Sequence, residues 1–131
     1  SRVFAMRIIG AGLDATDIPR IERVCSRFGN RFLHRIFTKH EIEYCQKRRN
    51  PIPHLAGRFS AKEATMKALG TGHSHGVLWQ DIEVVRQGGA PRIKLHAGAA
   101  KHAKQLGAND ILLTITHSDT LALAQVLLLG P

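Results

Sequence analysis

The chain has 131 residues, 44% hydrophobic and only 5% aromatic, and carries a formal charge of +9. That length suits a single domain spanning residues 1–131 with a mostly aliphatic core, and no apolar run approaches the length of a membrane span. The charge asks for an acidic partner, such as nucleic acid, an anionic membrane surface, an acidic protein or a phosphorylated ligand. It is also local, because residues 20–49 hold nine of the 19 Lys and Arg and only three acidic residues.

The stretch "SRVFAMRIIG" has a basic residue but no long apolar segment of the kind a secretory signal carries. The chain opens on Ser1, with its first Met at position 6, so residues 1–5 are expected to come from an upstream start or a fusion remnant. Residues 3–12, "VFAMRIIGAG", read as a strand. Asp17 then suits an N-cap, and Pro19 falls in the first turn of a helix reaching Arg27 or Phe28, where Gly29-Asn30 interrupts it. A second basic segment, "RFLHRIF", runs towards Thr38. The "TKHE" that follows matches a capping box, Thr38 at the cap and Glu41 three residues on, opening a helix over 39–48. "RRNPIPH" reads as a loop. A long helix over 54–69 follows, with Gly70 at its C′ position.

Past "GTGHSHG" the pattern changes. "DIEVVRQGGAPRIKLH" reads as two strands about a Gly-Gly turn. "AGAAKHAKQLG" reads as a short helix ending on Gly107. "DILLTITHS" and "TLALAQVLLL" read as two strands joined near Ser118-Asp119, apolar on both faces. The order predicts an α+β domain with a mostly antiparallel sheet packed against one long helix. Cys25 and Cys45 both fall in expected helices and fit a reducing, cytoplasmic setting better than a disulfide scaffold.

The long helix carries an anomaly. Stepping about 100° per residue, Leu55, Phe59, Met66 and Leu69 make one apolar stripe, and Lys62 falls inside it. Glu63 and Lys67 lie one turn apart on its flank. The plain interpretation is a snorkelling lysine beside a surface ion pair. Asp14, just after the expected strand and at the mouth of a helix, could simply cap that helix. Two carboxylates from separate elements plus a phosphate also make a typical Mg²⁺ arrangement. The "GAG" of "IIGAGLDATDI" lacks the third glycine and the βαβ setting of a dinucleotide fingerprint. His73 and His75 in "HSH" lack the further ligands of a zinc site. His117, in a turn after an apolar strand, suits either a phosphate contact or a strand end. Arg20, Arg23, Arg27 and Arg31 share one helical face if the helix persists past Gly29. Like charges at that spacing repel, so an acidic partner is the better explanation for the face.

"IIGAGLDATDIPRIE", "GRFSAKEATMKALGTG", "DIEVV", "G-x-P" and "ITHSDTLALAQV" occur in that order. Together they resemble the bacterial holo-acyl-carrier-protein synthases, the small phosphopantetheinyl transferases, from about Met6 to Leu129. The resemblance implies transfer of 4′-phosphopantetheine from coenzyme A to a serine of apo-acyl carrier protein, in the cytoplasm, as part of fatty acid and lipid biosynthesis. It implies that Asp14 and Glu63 hold Mg²⁺, with both acting in catalysis beside Lys67, which reaches the phosphates. Arg58, Lys62 and His117 are implied in contacting coenzyme A, and Arg20 and Arg27 in docking the acidic carrier protein. A homotrimer with active sites at subunit contacts is also implied. The chain departs from the usual pattern at His73 and His75, at Thr116 in "THS" and at Pro19.

A basic nucleic-acid-binding module would also explain the charge. It would leave Asp14 and Glu63 unexplained, and the scattered aromatics make no stacking platform. A non-catalytic adaptor of the same fold would have no need of Asp14, Glu63 and Lys67. Exposed charges that steer a partner act mainly on association rate. Arg20→Ala and Arg27→Ala are therefore expected to weaken affinity for acyl carrier protein more than for coenzyme A, and more at low salt. Equal losses for both substrates in a titration would reject the docking role.

Overall fold

The structure is a computed structural model and describes residues 5–131. Its elements are β1 (Arg7–Asp17), α1 (Ile18–Phe28), α2 (Asn30–Ile36), α3 (Lys39–Gln46), α4 (Pro51–Leu69), a 3₁₀ turn (Trp79–Asp81), β2 (Ile82–Val85), β3 (Arg92–Leu95), α5 (Ala97–Leu106), β4 (Asp110–His117) and β5 (Leu121–Gly130). β1, β5 and β4 form one antiparallel sheet with β5 in the middle, and β2 and β3 form a separate antiparallel hairpin. This is the expected α+β arrangement, with α4 lying on one face of the larger sheet.

Local chemistry explains the helix ends. The Asp17 carboxylate accepts a hydrogen bond from the Arg20 amide at 3.1 Å and starts α1. Thr38 and Glu41 close the capping box of α3: Thr38 Oγ1 accepts from the Glu41 amide at 3.2 Å, and Glu41 Oε1 accepts from the Thr38 amide at 2.9 Å. Gly70 ends α4 in the left-handed region at φ 74°.

Three expectations change. The first strand was expected over 3–12, and residues 3 and 4 lie outside the described residues; within them it runs from Arg7 to Asp17. Asp14 therefore sits inside the strand rather than beyond it. The strand persists because β5 pairs with it through Asp17 opposite Leu121. α4 begins at Pro51, inside the stretch expected to be a loop, because proline at the first helical positions lacks only an amide that would go unpaired anyway. The arginine face is not continuous. Gly29, at φ 53° and ψ −129°, breaks the helix, and Arg31 belongs to α2.

The glycines of β1 explain how α4 reaches the sheet. A Cβ on Gly12 would collide with the Ala64 carbonyl oxygen, and one on Gly10 with that of Ala68. The α4 backbone thus rests directly on the strand, with Ala61, Ala64 and Ala68 buried at the contact. Met66 and Leu69 fill the space beside β5 residues Ala124, Val126 and Leu128, each such side chain contributing about 1.5–3 kcal/mol. A second cluster, from Ile18 to Phe37 with Ile42, Cys45 and Leu55, binds α1, α2 and α3 to the first half of α4.

The outer face of the larger sheet is open in the single chain. Ala11–Leu127–Leu112, Leu13–Gln125–Thr114 and Ala15–Leu123–Thr116 form rows across it. Leu13 is 59% and Leu112 49% exposed. An internal core accounts for the inner faces of β4 and β5 but not for these rows.

The backbone contact at Gly12 leaves no room for a methyl group. Gly12→Ala should lower stability by about 1–3 kcal/mol, read as a reduced urea midpoint with an unchanged slope.

Candidate active site

Alternation along β1 puts Gly12, Asp14 and Thr16 on the face that α4 covers. Asp14 is held there from two sides. Lys67, in the last turns of α4, donates from Nζ to Asp14 Oδ1 at 3.0 Å and to the Leu13 carbonyl at 2.9 Å. Thr16 Oγ1 donates to Asp14 Oδ2 at 3.3 Å, and Ser60 of α4 donates to Thr16 Oγ1. The expected surface pair between Glu63 and Lys67 does not form among the described residues, because Asp14 takes the ammonium.

Glu63 lies one turn before Lys67. It lines a cavity of about 250 Å³ together with Asp14, Thr16, Arg20 and Phe59. Burial and then the Asp14 charge push its carboxyl above the usual carboxylate range, opposed by His73, Lys67 and Arg20. His73 Nε2 stands 3.7 Å from Glu63 Oε1, and the His73 ring packs 4.6 Å from that of Trp79. His75 instead meets Ser74 Oγ at 2.6 Å and the ring of His102 at 5.4 Å. The two histidines of "HSH" thus serve different neighbours. Two carboxylates on one cavity, one raised by the charge of the other, are a donor set that suits a hard divalent cation. Mg²⁺ keeps several waters and takes one or two carboxylates beside substrate phosphates.

Arg20 lines this cavity rather than standing only on a docking surface. Its charge lowers the Glu63 carboxyl, which the sequence did not reveal. Arg27 remains in the last turn of α1, over the Phe28 ring at 5.2 Å.

Arg58 and His117 lie elsewhere. They line a second cavity of about 380 Å³ with His54, Arg86, Pro91 and Thr116, and it shares no residue with the first. Arg58 and Glu63 are five residues apart on α4, which turns them about 140° from one another. Arg58 is buried at 5% exposure, and its Nε has no hydrogen-bond partner. Its Cζ lies 4.2 Å from the centre of the Tyr44 ring, and Arg48 Cζ lies 3.9 Å from the same ring. The His54 ring stands 6.3 Å from that of His117. Burial first, then Arg58, Arg48, His117 and Arg86, hold the His54 imidazole below its ordinary 6.5. Among the described residues none of Arg48, Arg58 and Arg86 has a carboxylate partner. A pocket with this excess of cations suits a phosphate. Tyr44, His54 and Arg86 carried no sequence signal of their own, since they meet only across α3, α4 and the β2–β3 hairpin.

Lys62 corrects an expectation. It is fully buried and lines neither of the two cavities. Its ammonium meets Glu41 Oε1 at 2.7 Å and donates to the Ile82 carbonyl at 2.5 Å and the Trp79 carbonyl at 3.2 Å. Burial lowers its proton affinity, and Glu41 works against that. With its three N–H groups engaged inside the protein, it has none to offer coenzyme A. The sequence marked it as a lysine in an apolar stripe, but Glu41 looked like a capping residue alone.

Residues 10–124 match the model of the 4′-phosphopantetheinyl transferase superfamily. The holo-[acyl-carrier-protein] synthase of Solibacter usitatus is 46% identical over 122 residues, covering 92% of this chain and 98% of that protein. The crystal structure of holo-[acyl-carrier-protein] synthase from Neisseria meningitidis superposes with a TM-score of 0.86 at 31% identity, covering 93% of this chain and 98% of that one. A holo-(acyl-carrier-protein) synthase from Bacillus anthracis in complex with CoA (3′,5′-ADP) superposes with a TM-score of 0.78 at 33% identity, covering 97% and 100%. These relatives give no support to a nucleic-acid-binding module.

The crowding of cations around His54 has a measurable cost. Below its ordinary 6.5, the unfolded chain takes up a proton there that the folded chain refuses, so stability falls as the pH drops. His54→Gln should flatten part of that fall. Urea midpoints of the two chains between about pH 7 and pH 5.5 would measure it, and parallel curves would show an unperturbed histidine.

Proposed function

The chain belongs to the 4′-phosphopantetheinyl transferase superfamily, and from that premise we propose that it is a cytoplasmic, Mg²⁺-dependent holo-[acyl-carrier-protein] synthase. It moves 4′-phosphopantetheine from coenzyme A to a serine of apo-acyl carrier protein and releases adenosine 3′,5′-bisphosphate, supplying carrier protein for fatty acid and lipid biosynthesis. The observation that carries this reading is the meeting of Asp14, Glu63 and Lys67 in one place, from a strand and a helix distant in sequence.

Phosphoryl transfer needs positioning and charge neutralisation more than covalent help. Asp14 and Glu63 are the residues to hold Mg²⁺. When bound, the ion neutralises the pyrophosphate and polarises the phosphorus. The carrier serine oxygen attacks the phosphorus next to the pantetheine, a new O–P bond forms, and the bond to the bridging pyrophosphate oxygen breaks. The serine proton passes to Glu63 or to a water beside it. Lys67 offsets the charge that builds on the departing nucleotide, or protonates it. Arg58 and His117 hold coenzyme A phosphate. Arg20 and Arg27 receive the acidic carrier protein.

In one chain the two cavities are separate, and the open apolar face of the sheet is a surface that another copy would cover. A homotrimer would bring the Arg58–His117 cavity of one copy beside the Asp14–Glu63 cavity of the next. Both cysteines are free, which fits a reducing cytoplasm, and among the described residues no helix is long and apolar enough to cross a membrane.

Intact-protein mass spectrometry tests the reading. Apo-acyl carrier protein incubated with coenzyme A, Mg²⁺ and this protein should gain one phosphopantetheine. The gain should vanish with EDTA and with Glu63→Ala. Mixing Glu63→Ala with His117→Ala chains should restore part of the activity if each site draws on two copies. No gain with any of several carrier proteins would reject the transferase.

A further inference from the structure

The buried pair of Lys62 and Glu41 has no part in the transfer chemistry above, yet it is fully connected. Glu41 Oε1 accepts from Lys62 Nζ at 2.7 Å and from the Thr38 amide at 2.9 Å, while Oε2 accepts from the Val84 amide at 2.9 Å. Thr38 Oγ1 donates to Glu83 Oε2 at 2.6 Å, and His96 Nε2 stands 3.0 Å from Glu83 Oε1. The start of α3 is thereby fastened to α4 on one side and to β2 on the other.

Two buried charges are a poor way to gain stability. Their desolvation costs about as much as their attraction returns, and apolar residues of similar shape often serve as well. A pair with every donor and acceptor satisfied does fix geometry, because any displacement strands a charge in the core. The geometry at stake lies one turn away. Tyr44 follows Glu41 by three residues on α3, and Arg58 precedes Lys62 by four on α4, so each pair shares a helix face. Glu41–Lys62 is one contact between the helices, and Tyr44–Arg58, with Cζ 4.2 Å from the ring centre, is the next.

We propose that Glu41 and Lys62 are positioning residues for coenzyme A. By fixing α3 against α4 they seat the Tyr44 ring under the Arg58 guanidinium, so that a nearly enclosed arginine is held in place where it lines the cavity with His117. This rests on the transferase reading in one respect only, that Arg58 grips coenzyme A. A guanidinium stacked on a ring loses less rotational freedom on binding than a free one. The pair would thus act on the binding of one substrate and leave the chemical step alone.

The test compares the parent with Lys62→Met, with Lys62→Met/Glu41→Gln and with Tyr44→Leu. It measures coenzyme A affinity by calorimetry, KM for each substrate, kcat and thermal midpoint. Lys62→Met should lose stability, because it leaves the Glu41 carboxylate buried without its cation. The double variant removes both charges and should recover part of that stability, limited by the glutamine NH₂ that then faces one of the two amides Glu41 accepts from. Its coenzyme A affinity should stay about tenfold or more below the parent, with kcat and the carrier-protein KM within about twofold. Tyr44→Leu, which leaves the pair intact, should show the same weakened coenzyme A binding near the parental midpoint. Recovery of coenzyme A affinity along with stability in the double variant would overturn the proposal, as would unchanged affinity in Tyr44→Leu. If Lys62→Met fails to fold, the other two variants still decide. A parent that binds coenzyme A without transferring its arm would reject the transferase and leave the positioning comparison intact. A parent that does not bind coenzyme A would reject both.

Discussion

The direct contact between the backbone of α4 and that of β1 is the constraint on which the site depends. Two residues of strand span about 6.6 Å and four residues of helix about 6 Å. Gly10 and Gly12 can therefore face Ala68 and Ala64 in step. The next inward residue of the strand is Asp14, and the helix presents Glu63 and Lys67 beside it. A side chain at either glycine would lift the helix and pull the two carboxylates apart. The small residues along this seam are thus as much a part of the site as its charges.

Much of this was legible in the sequence, and the failures share a cause. The Thr38–Glu41 capping box, the Asp17 cap, the Gly70 stop and the Gly-Gly hairpin follow from local chemistry, and each formed as expected. The extent of β1 did not follow, because its last residues are strand only through pairing with β5, more than a hundred positions away. Asp14, Glu63 and Lys67 were legible as residue types through family resemblance. That Lys67 would pair with Asp14 and leave Glu63 without an ammonium partner required the fold. Lys62 was legible as an oddity, but its partner sits on another helix and already had a local role in the cap. A residue that does two jobs is hard to read in one dimension.

The +9 charge divides into two physically different populations. Arg27 and its neighbours on α1 stand in water, where their field is screened within about 8–10 Å. Arg58, Arg86 and His54 line one cavity with no acid among its lining residues, where burial and the neighbouring cations hold the His54 imidazole below its ordinary value. Arg20 belongs to the exposed group on α1 and also lines the separate cavity of Asp14 and Glu63. The surface charges suit long-range steering, and the buried Arg58 with its neighbours suits a short-range grip on an anion.

The strand order has a consequence for how the molecule comes into being. β5, the last element, lies between β1 and β4, and each of those strands pairs with it and not with the other. During synthesis no part of the three-stranded sheet can close until Leu121 and the residues after it have left the ribosome. Until then α4 has no complete floor, and the apolar faces of β1 and β4 stay unpaired. Contacts of such long sequence separation make for slow folding and prolonged exposure of sticky segments. The helices α1 to α3 and their own cluster, finished much earlier, can protect the first half of α4 in the meantime.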